Sequence, residues 1–386
     1  MIELNWDDFY NVVPEFSHED MKLGTLTIPL GETIDFGALI GKVPVRGLVY
    51  GIPTEDNLVG WSFMPQLAML VFMVTRRVYA LNIYFPITKI LDKTELKAFY
   101  RLASEIMHQR NFNVCIVSLI ETHSPGVLSA ENAWGSGQEN RTESSLLLDS
   151  VSQHAAEIAF FIACHIAEIF FYQRPILNCL LNTRFEIRVA TSPEAFKQDG
   201  GVAGGCFNAE KSTIQLVVSR LFEGYHGKTP GVAPFLHEFG HLLDHFDVKA
   251  QSLTKSHGTL PGMRPGEGKL YNPPAHNRFL KGKQRELERY MHLHENGYQE
   301  GDPLPIGHPY VFQNNGEFIA GYFEMFFRNP HTFAAQNLDL FDSFVLTFGY
   351  DPRKAWAEDF PFYIEQNQTF YREHKPPKPG LSIPKP

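Results

Sequence analysis

The chain has 386 residues, 44% of them hydrophobic and 32 of them phenylalanine, which is enough apolar side chain for a sizeable core and excludes an intrinsically disordered protein. A net charge of -9 argues against a nucleic-acid reader, which concentrates Lys and Arg on one face. The four cysteines, Cys115, Cys164, Cys179 and Cys206, are far apart with no CxxC pair, which argues against a thiolate zinc site or a disulfide framework and for buried free thiols.

Residues 1 to about 121 alternate strand-like runs ("RGLVYGI", "YALNIYFPI") with a helical stretch, "TELKAFYRLASEIMHQR", and a further strand, "VCIVSLI", and so form a mixed α/β N-terminal region. The acidic start, "MIELNWDDFYNVV", lacks a basic, apolar secretory leader, so a cytoplasmic location is expected. Residues 122–145 are rich in Gly, Ser, Asn and charge and read as a flexible linker. A second domain is expected over 146–370. It opens with a helix from about 146 to 174, whose apolar window is broken by Glu157, His165 and Glu168 and therefore reads as buried helix and not as a membrane span. His154, Glu157, His165 and Glu168 form a polar stripe, better explained by satisfied histidines than by a second metal.

Strands "RFEIRVA" and "STIQLVVS" flank a Gly-rich turn, and a helix follows Pro234. Residues 251–309 read as an inserted, partly irregular lid around one charged helix, with His292, His294 and His308 on its surface. Helix resumes near residue 314, and residues 371–386 end the chain as an extended, Pro-rich tail.

The helix after Pro234 carries "FLHEFGHLLDHFD". His237 and His241 are four residues apart, about 400° of helical rotation, so both imidazoles leave one face a turn apart and can meet one ion. Neutral imidazoles with an open fourth position suit one Zn²⁺ per chain. Glu238, about 100° around from His237, can take a proton from a water at that ion without being a ligand. Asp244, three residues past His241, falls on the same side and suits a supporting bond to an imidazole or an anchor for a neighbouring loop. His245 and Asp247 read as a solvated helix end.

A third ligand must come from elsewhere. In "YVFQNNGEFIAGYFEMFFRNP", Glu317 opens an apolar helix and Glu324 lies two turns on at nearly the same face. Glu317 is the preferred ligand, with Glu324 orienting a histidine; the reverse assignment stays open.

"HEFGHLLD", "EFIAGYFEMFF" and "NPHTFAAQNLDLFDSFVLTFGYDP" together resemble the MtfA family of bacterial zinc peptidases over residues from about 200 to 352, and the first two blocks also resemble the anthrax lethal factor catalytic domain. The resemblance implies an α+β, zincin-like metallopeptidase of the gluzincin type. In it His237, His241 and Glu317 are the zinc ligands, Glu238 is the catalytic carboxylate, Glu324 is the second conserved carboxylate and Tyr310 donates to the oxyanion. It further implies that the strand with Ile214, Leu216 and Val218 pairs with an extended peptide substrate. The chain departs from the pattern in its long His241–Glu317 interval and in Phe323, which stands where the family has serine.

The expected function is therefore zinc-dependent hydrolysis of a peptide or protein, with no nucleic-acid or membrane partner. The alternative, also drawn from the resemblance, is a regulatory protein that sequesters a repressor-like partner with little proteolysis.

Overall fold

The structure, a computed structural model, describes residues 85–383 except 108, 120–124, 130–157, 160, 191–192, 204, 218–219, 222–231, 357–358 and 360. The expectations for residues 1–84, and for His154 and Glu157, lie outside the described residues. The chain is a mixed α/β protein. It divides into two compact units, one comprising Met1–Phe171, Phe185–Gly204 and Leu216–Lys228, the other Tyr172–Arg184, Gly205–Gln215 and Thr229–Pro386. The chain thus crosses between units several times and does not change domain once near residue 130.

In the first unit, α1 (Lys93–Met107) precedes β1 (Phe112–Leu119) and β2 (Pro125–Ser129). A helix over 161–170, α2, leads on; α3 (Arg174–Leu181) belongs to the second unit, and the chain returns with β3 (Phe185–Ala190) and α4 (Pro193–Gln198). Strand β1 is antiparallel to β2 and parallel to β3, with Val114 opposite Ile187 and Ile116 opposite Val189. A parallel neighbour needs a long crossover, which the helical chain between β1 and β3 supplies. The pairing of β2 corrects the linker reading for residues 125–129. Phe85, Phe99, Ile106, Ile162, Ile166 and Phe170 are all buried in this unit. His165 and Glu168 are buried as well, as the buried-helix reading expects: the His165 ring meets Phe85 and Phe161 edge-on at 4.9 Å, and Glu168 accepts from the Ile87 amide at 3.4 Å.

In the second unit, β4 (Gly205–Asn208) pairs with β5 (Thr213–Val217), which ends in the other unit. Then follow α5 (Pro234–His245), the small hairpin β6 (Phe246–Asp247) and β7 (Ser252–Leu253), and α6 (Pro273–Asn296). A 3₁₀ turn over Pro309–Phe312, α7 (Asn315–Arg328), α8 (Pro330–Gln336), α9 (Leu338–Phe348) and α10 (Pro361–Glu373) complete it. Much of the chain's phenylalanine is spent here: Phe323, Phe326, Phe327, Phe341, Phe344 and Phe348 pack ring against ring between α7 and α9.

The 251–309 segment is not a lid. Helix α6 packs along α9 and buries Phe279, Lys283, Glu286, Tyr290 and Leu293. Glu286 accepts from Arg289 (2.8 Å), the Ile306 amide (3.0 Å), the Tyr322 hydroxyl (2.5 Å) and the Asn337 amide (3.0 Å), so a carboxylate can be fully buried because every lone pair is used. Its charge pattern looked like a surface insertion because these partners come from α7, α9 and the segment before the 3₁₀ turn.

Candidate metal centre

Helix α5 starts at Pro234, where a missing N–H costs nothing, and buries Phe235, Leu236, Phe239, Leu242 and Leu243. Its neighbour is α7, and Gly240 sets how near they come: a Cβ there would lie 2.9 Å from the Ala320 Cα. That close approach faces His237 and His241 toward Glu317 and Glu324. Asn314 caps α7 by accepting from the Glu317 amide at 2.9 Å, so Glu317 stands in the first turn, where the helix dipole favours a carboxylate.

The three side chains meet at one point. Glu317 Oε2 lies 3.2 Å from His237 Nε2 and 3.3 Å from His241 Nε2, and the three ligand atoms fall within 4.8 Å of one another. Ligands about 2.0–2.1 Å from a tetrahedral ion are spaced roughly 3.3 Å apart, and the two separations from Glu317 Oε2 match that spacing. The group could hold a metal ion, and among the described residues no other His, Cys, Asp and Glu group of this kind occurs.

The surroundings fix each donor. Glu324, buried in α7, faces His237 Nδ1 with Oε2 at 3.4 Å and accepts from the Ala233 amide at the start of α5 with Oε1. A carboxylate against Nδ1 favours the tautomer that leaves the Nε2 lone pair free. Burial opposes charge on His237, but Glu317 and Glu324 outweigh it and push its pKa up to about 10. Burial likewise opposes charge on Glu317, and the two histidines hold its carboxyl well below the usual range. The histidines and carboxylates thus stabilise each other's charged forms.

Glu238 is buried beside these groups. Burial raises its carboxyl pKa, while His237, His241 and a hydrogen bond from the Phe207 amide pull the other way. Phe207, on β4, lays its ring parallel to His241 at 6.5 Å and against His245 at 5.2 Å.

No protein-family model and no curated protein matches this chain.

Tyr310 stands at the centre, but its hydroxyl donates to Glu317 Oε1 at 2.9 Å, the oxygen turned away from the histidines. Burial and the Glu317 carboxylate push the phenol up to about 12, so it remains a donor. His308, expected merely on the surface, caps this turn by accepting from the Tyr310 amide at 3.2 Å and packs on Phe370. His294 bonds the Pro376 carbonyl, whereas His292 is exposed and pairs with Asp302.

Asp244 is fully buried and anchors a loop: Oδ1 accepts from the amides of Gly258 (2.6 Å) and His257 (3.2 Å). His245 and Asp247 are half-buried at the end of α5, and both are also bonded to the backbone that follows. His245 Nδ1 meets the Thr254 carbonyl at 2.7 Å, and Asp247 accepts from the Lys249 and Ala250 amides, closing the β6–β7 hairpin.

The substrate-strand expectation fails for two of its residues. Ile214 and Leu216 are fully buried in β5, and Val218 lies outside the described residues. Strand β4 lies beyond β5 at that edge of the sheet, with β2 at the other edge. An alternating apolar pattern marks a half-buried strand but does not say whether another strand lies outside it.

Sequence reasoning also missed Arg264 and Lys283. The buried Arg264 guanidinium donates to the carbonyls of Leu243 (2.9 Å), Asp244 (3.1 Å) and Phe246 at the C-terminal end of α5, where a cation complements the helix dipole. Burial lowers its pKa to about 10 and that of Lys283 to about 8, with the Asp244 charge opposing both shifts. No motif signals them, because both act through backbone or side-chain atoms far away in sequence. Of the four cysteines, none is disulfide-bonded; Cys115 and Cys164 are buried, Cys179 and Cys206 partly so. Among the described residues no helix is long and apolar enough to cross a membrane.

Proposed function

We propose that the chain is a zinc-dependent metallopeptidase of the gluzincin type. The observation that carries this reading is the convergence of His237 Nε2, His241 Nε2 and Glu317 Oε2, with the buried Glu238 alongside. A bound Zn²⁺ supplies Lewis acidity, polarising a carbonyl and lowering the pKa of water. Glu238 takes the proton from the attacking water and returns it to the leaving amine. Burial raises its carboxyl pKa, which makes it a better proton acceptor than an exposed carboxylate. Glu324 holds the His237 tautomer, and Tyr310 holds Glu317 by its second oxygen.

The substrate is a peptide or protein, and β4, an edge strand of its sheet and the one that carries Phe207, is the backbone an extended segment would line. The resemblance of "HEFGHLLD" and "EFIAGYFEMFF" to the MtfA family supports the same chemistry, and the free cysteines fit a reducing cytoplasm.

The test is Glu238→Gln, assayed on a library of quenched fluorescent peptides with zinc measured in the same samples. The variant is expected to retain one zinc per chain and to lose roughly 10²–10⁴-fold in kcat/KM. Undiminished cleavage would remove Glu238 from the chemistry. A protein that holds zinc but cleaves nothing would point instead to partner sequestration.

A further inference from the structure

Tyr310 and Glu317 stand on either side of one short piece of chain, residues 311–316, and the residues after α10 hold that piece by its main chain. The Gly380 amide donates to the Phe312 carbonyl at 2.9 Å. A Cβ on Gly380 would lie 2.0 Å from the Gln313 carbonyl oxygen, so only glycine lets the two backbones pass. Ser382 Oγ accepts from Asn315 Nδ2 at 3.3 Å, while the other end of that amide, Oδ1, accepts from the buried Lys283 ammonium at 2.7 Å. Asn315 is thus held from two sides, and its orientation is fixed.

The tail itself is tied down. Tyr290 stacks on Phe312 with ring centroids 4.2 Å apart and donates from its hydroxyl to the Pro377 carbonyl at 2.8 Å. His294 Nδ1 meets the Pro376 carbonyl at 3.0 Å, Lys375 donates to the Glu295 carbonyl at 2.8 Å, and Leu381 is buried. Pro376, Pro377 and Pro379 lose little conformational freedom on docking, which suits a segment held mainly by backbone atoms. The Pro-rich tail expected over 371–386 therefore begins only after α10, which runs to Glu373, and it is docked along its length from Lys375 to Ser382.

We propose that residues 375–383 form a positioning strap for the metal centre, in which Gly380 and Ser382 hold residues 312–315 and thereby fix where Tyr310 and Glu317 stand. The zinc-affinity consequence rests on the metallopeptidase reading; the consequence for the order of residues 310–317 does not.

The experiment uses the full chain with Gly380→Ala, Ser382→Ala and, as a control on the exposed side of the tail, Lys378→Ala. Amide hydrogen exchange of residues 310–317 is followed in the absence of metal, and the zinc dissociation constant is measured by competition with a chromophoric chelator. Gly380→Ala is expected to speed exchange in 310–317 while leaving 235–245 protected, and to weaken zinc about tenfold or more, the scale of losing a ligand's support. Ser382→Ala is expected to do the same more weakly, by roughly two- to tenfold, as for one lost hydrogen bond. Lys378→Ala changes neither.

Exchange in 310–317 and zinc affinity both unaltered in Gly380→Ala would overturn the strap, and so would faster peptide cleavage on loosening it, which would make the tail a cover. If Gly380→Ala unfolds, Ser382→Ala decides by the same two readouts. A wild-type chain that binds no zinc defeats the metallopeptidase reading alone, since the exchange measurement still judges the strap.

Discussion

Replacing Glu324 by Gln tests whether the centre depends on the group behind His237. The two side chains have the same shape, so packing in α7 is preserved. Glu324 uses its oxygens differently: Oε1 accepts from the Ala233 amide and Oε2 faces His237 Nδ1 at 3.4 Å. Glutamine has one acceptor oxygen and one donor nitrogen. With its oxygen on Ala233, the amide nitrogen faces Nδ1 and favours the tautomer with hydrogen on Nε2, the atom that must bind the ion. Flipped, it places a donor against the Ala233 N–H. Either arrangement costs, and loss of such outer support typically weakens metal binding ten- to a hundredfold, about 1.4–2.8 kcal/mol. The assay is zinc competition against a chromophoric chelator at fixed pH, with circular dichroism to establish that the variant is folded. A dissociation constant within twofold of wild type, in a folded variant, would refute the assignment of Glu324 to His237.

Tyr310→Phe separates two roles. If the hydroxyl holds Glu317, zinc affinity falls several-fold along with cleavage; if it serves only the oxyanion, kcat falls and zinc affinity stays, and equilibrium zinc titration distinguishes them. Zinc binding at pH 7.5 is expected to release about one proton, because the metal-free cluster keeps His237 protonated up to about 10. Calorimetry in buffers of different ionisation enthalpy measures this, and zero release would contradict the clustering of carboxylates around His237. The same shifts set the pH dependence of metal-free stability. The raised His237 contributes fully below its ordinary value of 6.5 and loses that contribution as pH rises toward about 10. The depressed Glu317 contributes above its ordinary value of 4.5 and loses that contribution on acidification. Chemical denaturation across pH should therefore place the optimum of these two groups between about 4.5 and 6.5.

The sequence alone marked the candidate site residues and the helices that carry them. HExxH is legible because four residues are one turn, and Glu317 because a carboxylate opening an apolar helix needs a partner. Strands β1, β3 and β5 and helix α1 followed from period and turn residues for the same local reason. What local pattern cannot encode is which distant groups meet. Only the packing of α5 on α7 at Gly240 decided that Glu317 faces the Nε2 atoms of both histidines and Glu324 the Nδ1 of His237, and only the hydrogen bond of Tyr310 to Glu317 placed that hydroxyl on the Glu317 carboxylate. The buried ions Glu286, Arg264 and Lys283 looked like surface charge because each is satisfied by atoms tens of residues away or by backbone carbonyls. The strand order, which put β4 outside β5, and the docking of Gly380 on the 3₁₀ turn belong to the same class. They are long-range contacts, fixed by steric fit and hydrogen-bond satisfaction across the fold, and no run of neighbouring residues carries them.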